Sequence, residues 1–191
     1  MRIDRLVVAS KNPDKIAEIE KVLVQSGLDI ELVKDLDWPD VEETGATLEE
    51  NALKKAREVF NATGLPALAD DTGLFVDALG GLPGVNTARF AGDEATYADN
   101  VARLLEELEG IEERSASFRT VIALVADAGE LVAEGVLQGR IAEAPHGNGG
   151  FGYDPVFELA NSRTLAELDQ GQKNDVSHRA IALRNLFAEL D

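Results

Sequence analysis

Apolar and polar positions alternate along this chain in two rhythms, and each rhythm predicts a different element. Leu6 to Ala9 (LVVA) is a short unbroken apolar run, as expected of a buried strand. The chain then turns through Ser10, Lys11 and Asn12 into PDKIAEIEKVLVQSG, where Ile16, Ile19, Val22 and Leu23 recur at helical spacing. Asn12 suits the N-cap of that helix, Pro13 its first position and Gly27 its stop. A second helix is expected to open at Thr47, with Glu50 completing a capping box, and to run to about Thr63 before Gly64. Next, PALADDTGLFVDAL reads as a strand running into Asp70 and Asp71, followed by a second apolar segment. Thr96 and Asp99 predict another capped helix through VARLLEEL. Residues 116–126 and 131–138 read as strands joined by a hairpin at Asp127 to Glu130. A last helix is expected near Ser177, carrying AIALRNLFAEL. Strands alternating with helices predict an α/β class, and with no internal repeat or linker a single domain over residues 1–191 is expected.

Composition narrows the function. With 45% hydrophobic residues in 191, the chain can bury a sizeable core. Its 36 acidic and 18 basic side chains give a formal charge of −18, which argues against gripping a nucleic-acid backbone, since that task needs clustered Lys and Arg. A small phosphorylated substrate needs only a few local cations. The absence of cysteine excludes disulfides, thiolate chemistry and zinc–thiolate sites. The first predicted strand starts almost at Met1 and no apolar run approaches ~20 residues, so a cytoplasmic protein with no membrane partner is expected.

Four stretches carry candidate chemistry. In SKNPDK, a helix N-terminus offers unpaired N–H groups and a partial positive charge to an anion such as phosphate, and Lys11 and Lys15 add full charges; an ordinary turn with solvated lysines fits equally well. The acidic set Glu42, Glu43, Asp70 and Asp71 offers hard oxygens suited to Mg²⁺. Glu42 and Glu43 could equally be a solvated face. Asp70-Asp71 sits between apolar segments, which predicts at least one carboxylate at a sheet edge where ligands gather. In HGNGGFGYDP, the glycines at 147, 149, 150 and 152 let backbone approach a ligand, and Phe151 or Tyr153 could stack on a base. A hairpin with its aromatics folded onto the core is the plain alternative. KNDVSHRAIAL sets Lys173, Ser177, His178 and Arg179 where the last helix starts, either as an exposed helix start or as polar readers of a purine edge.

Together, SKNPDK, LADDTGLFVDALGGLPGV with ARFAG, GGFGYDPVF and SHRAIAL, in this order, resemble the inosine/xanthosine triphosphate pyrophosphatase family over almost the whole chain. The resemblance implies a long mixed β-sheet flanked by helices, with two lobes around a central nucleotide cleft, and a homodimer. It implies cleavage of deaminated purine nucleoside triphosphates (ITP, dITP, XTP) to monophosphate and pyrophosphate. Ser10, Lys11, Asn12 and Lys15 would then bind the triphosphate, and Lys55 would line the phosphate channel. Asp71 would be the catalytic acidic residue, with Glu42 its partner on Mg²⁺ and Thr72 beside substrate. Phe151, Gly152, Tyr153 and Asp154 would hold and stack the base, and Lys173, His178 and Arg179 would read it. Three departures from the family pattern stand out: Lys11 replaces a glycine, Thr72 a commoner serine, and Asn86-Thr87 a Tyr-Ser pair. A free carboxylate has a pKa near ~3.9, and a bound cation pushes it lower, so Asp71 is expected to serve as metal ligand and water-orienting group more than as a full proton acceptor. Two rivals share these features: a related pyrophosphatase for modified pyrimidine or methylated nucleotides, and a non-catalytic nucleotide- or flavin-binding module.

Overall fold

The computed structural model of the protein describes residues 2–190. Strands are β1 (Arg5–Val8), β2 (Glu31–Leu32), β3 (Ala67–Val76), β4 (Pro83–Gly84), β5 (Ser115–Ala126), β6 (Gly129–Ile141) and β7 (Phe157–Glu158). Helices are α1 (Pro13–Ser26), α2 (Leu48–Thr63), α3 (Tyr97–Glu107), α4 (Gln170–Val176) and α5 (His178–Phe187). The strands form one mixed sheet in the order β2-β1-β3-β5-β6-β7, with β4 paired to β3. β1 runs parallel to β2 and β3, while β4 is antiparallel to β3 and β7 to β6.

The helix ends follow from the capping chemistry. The Asn12 side chain accepts from the N–H groups of Asp14 and Lys15 at 2.9 and 3.4 Å, and Gly27 stops α1 at φ 73°. Thr47 caps α2 by accepting from Glu50 N at 3.1 Å, but the Glu50 carboxylate accepts from Ala46 N at 2.7 Å instead of closing the box on Thr47. Thr96 and Asp99 close a full capping box on α3.

Three expectations change. The acidic pair does not end a strand: β3 runs ten residues straight through it. KND belongs to the separate helix α4, capped by Asp169, and Ser177 lies between α4 and α5. The β5–β6 hairpin is longer at both outer ends than the apolar runs alone predict.

The chain divides into two compact units. Unit one is Met1–Asp71, Thr120–Gly135 and His178–Asp191; its core joins Leu6, Val8, Ile19, Val22, Leu68, Ile122, Leu124, Leu183 and Leu186. Unit two is Thr72–Arg119 and Val136–Ser177; its core joins Leu74, Val76, Leu104, Phe118, Ile141, Tyr153, Val156, Phe157 and Leu165. Within unit one, β6 passes so close to the start of α5 that a Cβ on Gly135 would lie 2.1 Å from the His178 carbonyl oxygen and 2.4 Å from Ala182 N. Gly135→Ala is therefore expected to cost about 1–3 kcal/mol through overpacking. At about 2–4 °C per kcal/mol for a chain of this size, calorimetry should read a Tm fall of roughly 2–12 °C. An unchanged Tm would mean that α5 is not pinned at this glycine.

Candidate active site

The site is built around β3. Side chains alternate across a strand, so adjacent Asp70 and Asp71 point to opposite faces of the sheet. Both are buried, at 2% and 5% exposure. Asp70 meets α1 and α5. Arg179 Nε and Nη2 donate to its Oδ2 at 3.1 and 3.0 Å, and Lys15 Nζ sits 3.1 Å from the same oxygen. Arg179 Nη1 donates to Glu18, which lies on α1 one turn beyond Lys15. Asp71 instead meets α2. Asn51 Nδ2 donates to its Oδ2 at 3.1 Å and Lys55 Nζ to its Oδ1 at 3.2 Å. Lys55 Nζ also donates to Glu43 Oε1 and to the Asp70 carbonyl, each at 2.6 Å.

These neighbours drive the two carboxylates apart in acidity. Burial alone would raise the Asp70 pKa, but Lys15, Arg179 and Lys55 overcome it and hold the group far below the ordinary carboxylate range. Burial also raises Asp71, and there it prevails: Lys55, Lys15 and the Asn51 hydrogen bond pull down, but the nearby Glu43 charge adds to the rise. Lys55 is opposed by its own burial, yet Asp71, Asp70 and Glu43 outweigh that and raise its pKa.

Of the phosphate-loop residues, Ser10 Oγ accepts from Asn12 N at 3.2 Å, and Asn12 caps α1. Lys11, standing in place of a glycine, makes an exposed ion pair with Asp40. Glu42 is exposed and makes no hydrogen bond or ion pair among the described residues, whereas Glu43 is the acidic residue held beside Asp71. Arg179 is buried to 2% exposure, with donors from all three guanidinium nitrogens committed to Asp70 and Glu18.

Unit two holds the aromatic loop. Asp154 Oδ2 accepts from Phe151 N at 2.8 Å and from Lys173 Nζ at 2.6 Å. The Lys173 ammonium lies 4.5 Å from the centroid of the half-buried Phe151 ring, a cation–π contact, and Tyr97 packs on the same ring at 6.0 Å. Gly150, at φ 68°, has no room for a Cβ, which would fall 2.0 Å from Asp154 Oδ2. Tyr153, offered by the sequence as a stacking ring, is instead a core residue whose hydroxyl donates to the Thr87 carbonyl at 3.0 Å. Gly152 is half-buried beside it, and Thr72, which opens this unit, is half-buried as well. Thr87 Oγ1 donates to Gly84 O at 2.5 Å and accepts from Leu74 N at 2.7 Å, so the departure at Asn86-Thr87 keeps a hydroxyl that ties the end of β3 to its turn.

Sequence reasoning missed Glu18 and Asn51. Their signal was present: Asn51 and Lys55 lie four apart on α2, and Lys15 and Glu18 three apart on α1, so each pair shares a helix face. No group of three or more acidic or His side chains converges as a metal cage among the described residues. Mg²⁺ does not need one, since it takes one or two carboxylates and completes its shell with water and phosphate oxygens. Asp71, buried with the Glu43 carboxylate nearby and Glu42 beside it in sequence, fits that habit.

The model for the Ham1 family matches residues 6–189. The dITP/XTP pyrophosphatase of Geobacter sulfurreducens is 52% identical over 186 residues, covering 94% of this chain and 92% of that protein. The dITP/XTP pyrophosphatase of Bacillus licheniformis is 46% identical over 191 residues, covering 97% of each. Among solved structures, a HAM1 protein from Coxiella burnetii superposes with a TM-score of 0.88 at 46% identity, covering 97% of this chain and 98% of that one. The Staphylococcus aureus Ham1 protein gives 0.85 at 36% identity, covering 97% of each.

The opposed shifts have an acid consequence. Asp70 has a native pKa below its unfolded value of about 3.9, so its contribution to stability is full above that pH and is lost as pH falls below it. Asp71, with a raised native pKa, works in the opposite sense and offsets only part of the loss. Urea midpoints are expected to fall steeply below about pH 4, and Asp70→Asn should show a shallower fall. Equal slopes in the two proteins would assign acid sensitivity elsewhere.

Proposed function

The chain belongs to the Ham1 family, and we propose that it hydrolyses deaminated purine nucleoside triphosphates (ITP, dITP and XTP) to the monophosphate and pyrophosphate. The observation that carries this reading is the lysine–carboxylate cluster on β3: Lys15 on Asp70 and Lys55 on Asp71, all in one unit. A non-catalytic binding module has no use for a buried carboxylate with a raised pKa. A pyrophosphatase has two uses for it, as metal ligand and as partner to the attacking water.

In the reaction a water oxygen bonds to the α-phosphorus and the bond from that phosphorus to the bridging oxygen breaks, releasing pyrophosphate. Asp71 orients the water. Burial raises the Asp71 pKa in the metal-free protein, but a bound cation would lower it, so the group acts as metal ligand and water-orienting group more than as a full proton acceptor. Lys15 and Lys55, with Ser10, Lys11 and Asn12, hold and neutralise the triphosphate. Mg²⁺ supplies further charge neutralisation when bound. Asp71 would hold it together with Glu42, whose exposed carboxylate makes no ion pair among the described residues. Thr72 stands next in the chain. Phe151, Gly152, Asp154 and Lys173 receive the base, Phe151 by its ring and Asp154 by ordering the loop.

Selectivity lies at the purine 6-position, where inosine and xanthosine carry a carbonyl and adenosine an amino group. Donors pair with the first and oppose the second. His178 supplies that donor character, while Arg179, buried with its guanidinium held by Asp70 and Glu18, keeps Asp70 ionised instead of reading the base. Family membership also supports a cytoplasmic homodimer. No helix among the described residues is long and apolar enough to cross a membrane.

Pyrophosphate release should be rapid from ITP, dITP and XTP, slow from GTP and ATP, and abolished by EDTA. Release from none of the five would return the chain to the binding-module reading. Asp71→Asn is expected to lower turnover by at least about tenfold while the fold survives; near-wild-type turnover would remove the role given to Asp71. Glu42→Gln should raise the Mg²⁺ concentration needed for half-maximal activity more than Glu43→Gln does. The reverse order would move the ligand to Glu43.

A further inference from the structure

Four consecutive residues ahead of α2 are held in reverse order by side chains of that helix, all within unit one. Lys55 Nζ donates to Glu43 Oε1 at 2.6 Å and Lys54 Nζ to Thr44 Oγ1 at 3.0 Å. Asn51 Oδ1 accepts from Gly45 N, and Glu50 Oε2 from Ala46 N, each at 2.7 Å. Asn51 and Lys55, one turn apart, also reach β3: Asn51 Nδ2 donates to Asp71 Oδ2 at 3.1 Å and Lys55 Nζ to Oδ1 at 3.2 Å. The sense of the Asn51 bonds is fixed. A backbone N–H can only donate, so the amide atom facing Gly45 is the oxygen, and the NH₂ group faces Asp71. Asn51 is 2% exposed, and a buried amide costs free energy unless its bonds are made. Asparagine is also a poorer helix former than the Ala52 and Leu53 that follow it, so helix propensity does not account for it.

We propose that Asn51 is a positioning residue for the metal ligands: its amide ties the loop that carries Glu42 and Glu43 to the carboxylate of Asp71. It acts through those groups and touches no substrate. Lys55 spans the same gap, but by its charge, and a phosphate oxygen that engages the ammonium draws it from Glu43 and Asp71. Asn51 is neutral, so an anionic ligand has little to draw it away. Its link therefore keeps loop and carboxylate in register while Lys55 changes partners. Register matters because Mg²⁺ demands near-ideal geometry from its ligands, and groups held from behind reach that geometry more readily. The fit at Gly45 is close: a Cβ there would lie 2.7 Å from both Asn51 Oδ1 and Glu50 Cβ. The role towards Mg²⁺ rests on the function proposed above; the tether itself does not.

Amide hydrogen exchange of the metal-free protein, read by NMR, tests the tether. The Gly45 amide is expected to be protected in the wild type and to exchange at least roughly tenfold faster in Asn51→Leu, which keeps the bulk and removes both bonds. The Ala46 amide, held by Glu50, is the internal control and should change far less. A freely exchanging wild-type Gly45 amide overturns the proposal without any variant. Equal acceleration at Gly45 and Ala46 overturns it too, since Asn51 then only supports the start of the helix. For the metal, the Mg²⁺ concentration that gives half-maximal pyrophosphate release from ITP should rise at least about tenfold in Asn51→Leu. Gly45→Ala, which leaves every residue of α2 and β3 in place, should raise it as well by forcing the loop off Asn51. If the Mg²⁺ requirement keeps its wild-type value in either variant, whatever happens to kcat, the proposal fails. If the wild-type protein releases no pyrophosphate from ITP, the proposed activity fails instead, and exchange at Gly45 still judges the tether.

Discussion

The chemistry of the first unit depends on one buried anion, the carboxylate of Asp70. A charge removed from water costs several kcal/mol unless it is paired with good geometry and its remaining donors and acceptors are met. Here two donors of the Arg179 guanidinium and the Lys15 ammonium converge on one oxygen, and Glu18 takes the third arm of Arg179. The fork of arginine suits this better than a second lysine, because its planar donors are already arranged for a carboxylate. The contacts also fix the helices. Lys15 and Glu18 come from α1 and Arg179 from α5, so satisfying Asp70 sets both against β3.

Two neighbouring aspartates therefore do different work because a strand sends them to different faces. Asp70 is kept ionised by three cations, while Asp71, also buried, feels Lys55 and Lys15, an amide and another carboxylate, and its acidity moves the other way. Pairs of titratable groups whose surroundings separate their pKa values are the usual means by which one site holds both a fixed charge and a titratable group. Lys55 couples the two, since it donates to the Asp71 carboxylate and to the backbone carbonyl of Asp70. A substitution at Lys55 would disturb both groups at once.

Local signals predicted local structure well. Asn12, Pro13 and Gly27 bound α1, and Thr96 with Asp99 starts α3, because capping is decided within a few residues. The acidic pair was read as a strand end because carboxylates are rarely buried unless paired, and their partners at Arg179, Lys15 and Lys55 are distant in sequence. For Tyr153 the sequence offered both a stacking ring and an aromatic folded onto the core, and the structure takes the second. Its glycine neighbours suggested backbone close to a ligand, while its hydroxyl partner, the carbonyl of Thr87, is distant in sequence and its ring belongs to the core. Four motifs in order identified the family with no knowledge of contacts. They did not reveal Glu18 or Asn51, which serve the motif residues from outside the motifs.

A net charge of −18 describes the surface of this protein more than its site. The cations held at the carboxylates are few and buried or half-buried, where each charge acts more strongly than in water. Yet none of the three lysines at issue is held in reserve. Lys15 sits on Asp70, Lys55 on Asp71 and Glu43, and Lys173 on Asp154. A phosphate oxygen that engages Lys15 or Lys55 must share the ammonium with a carboxylate already there. Binding is then an exchange of partners, and its net electrostatic gain is smaller than the charges suggest. Such exchange favours a ligand with several charges in fixed geometry, which can engage Lys15 and Lys55 together, over a single phosphate that can win only one of them.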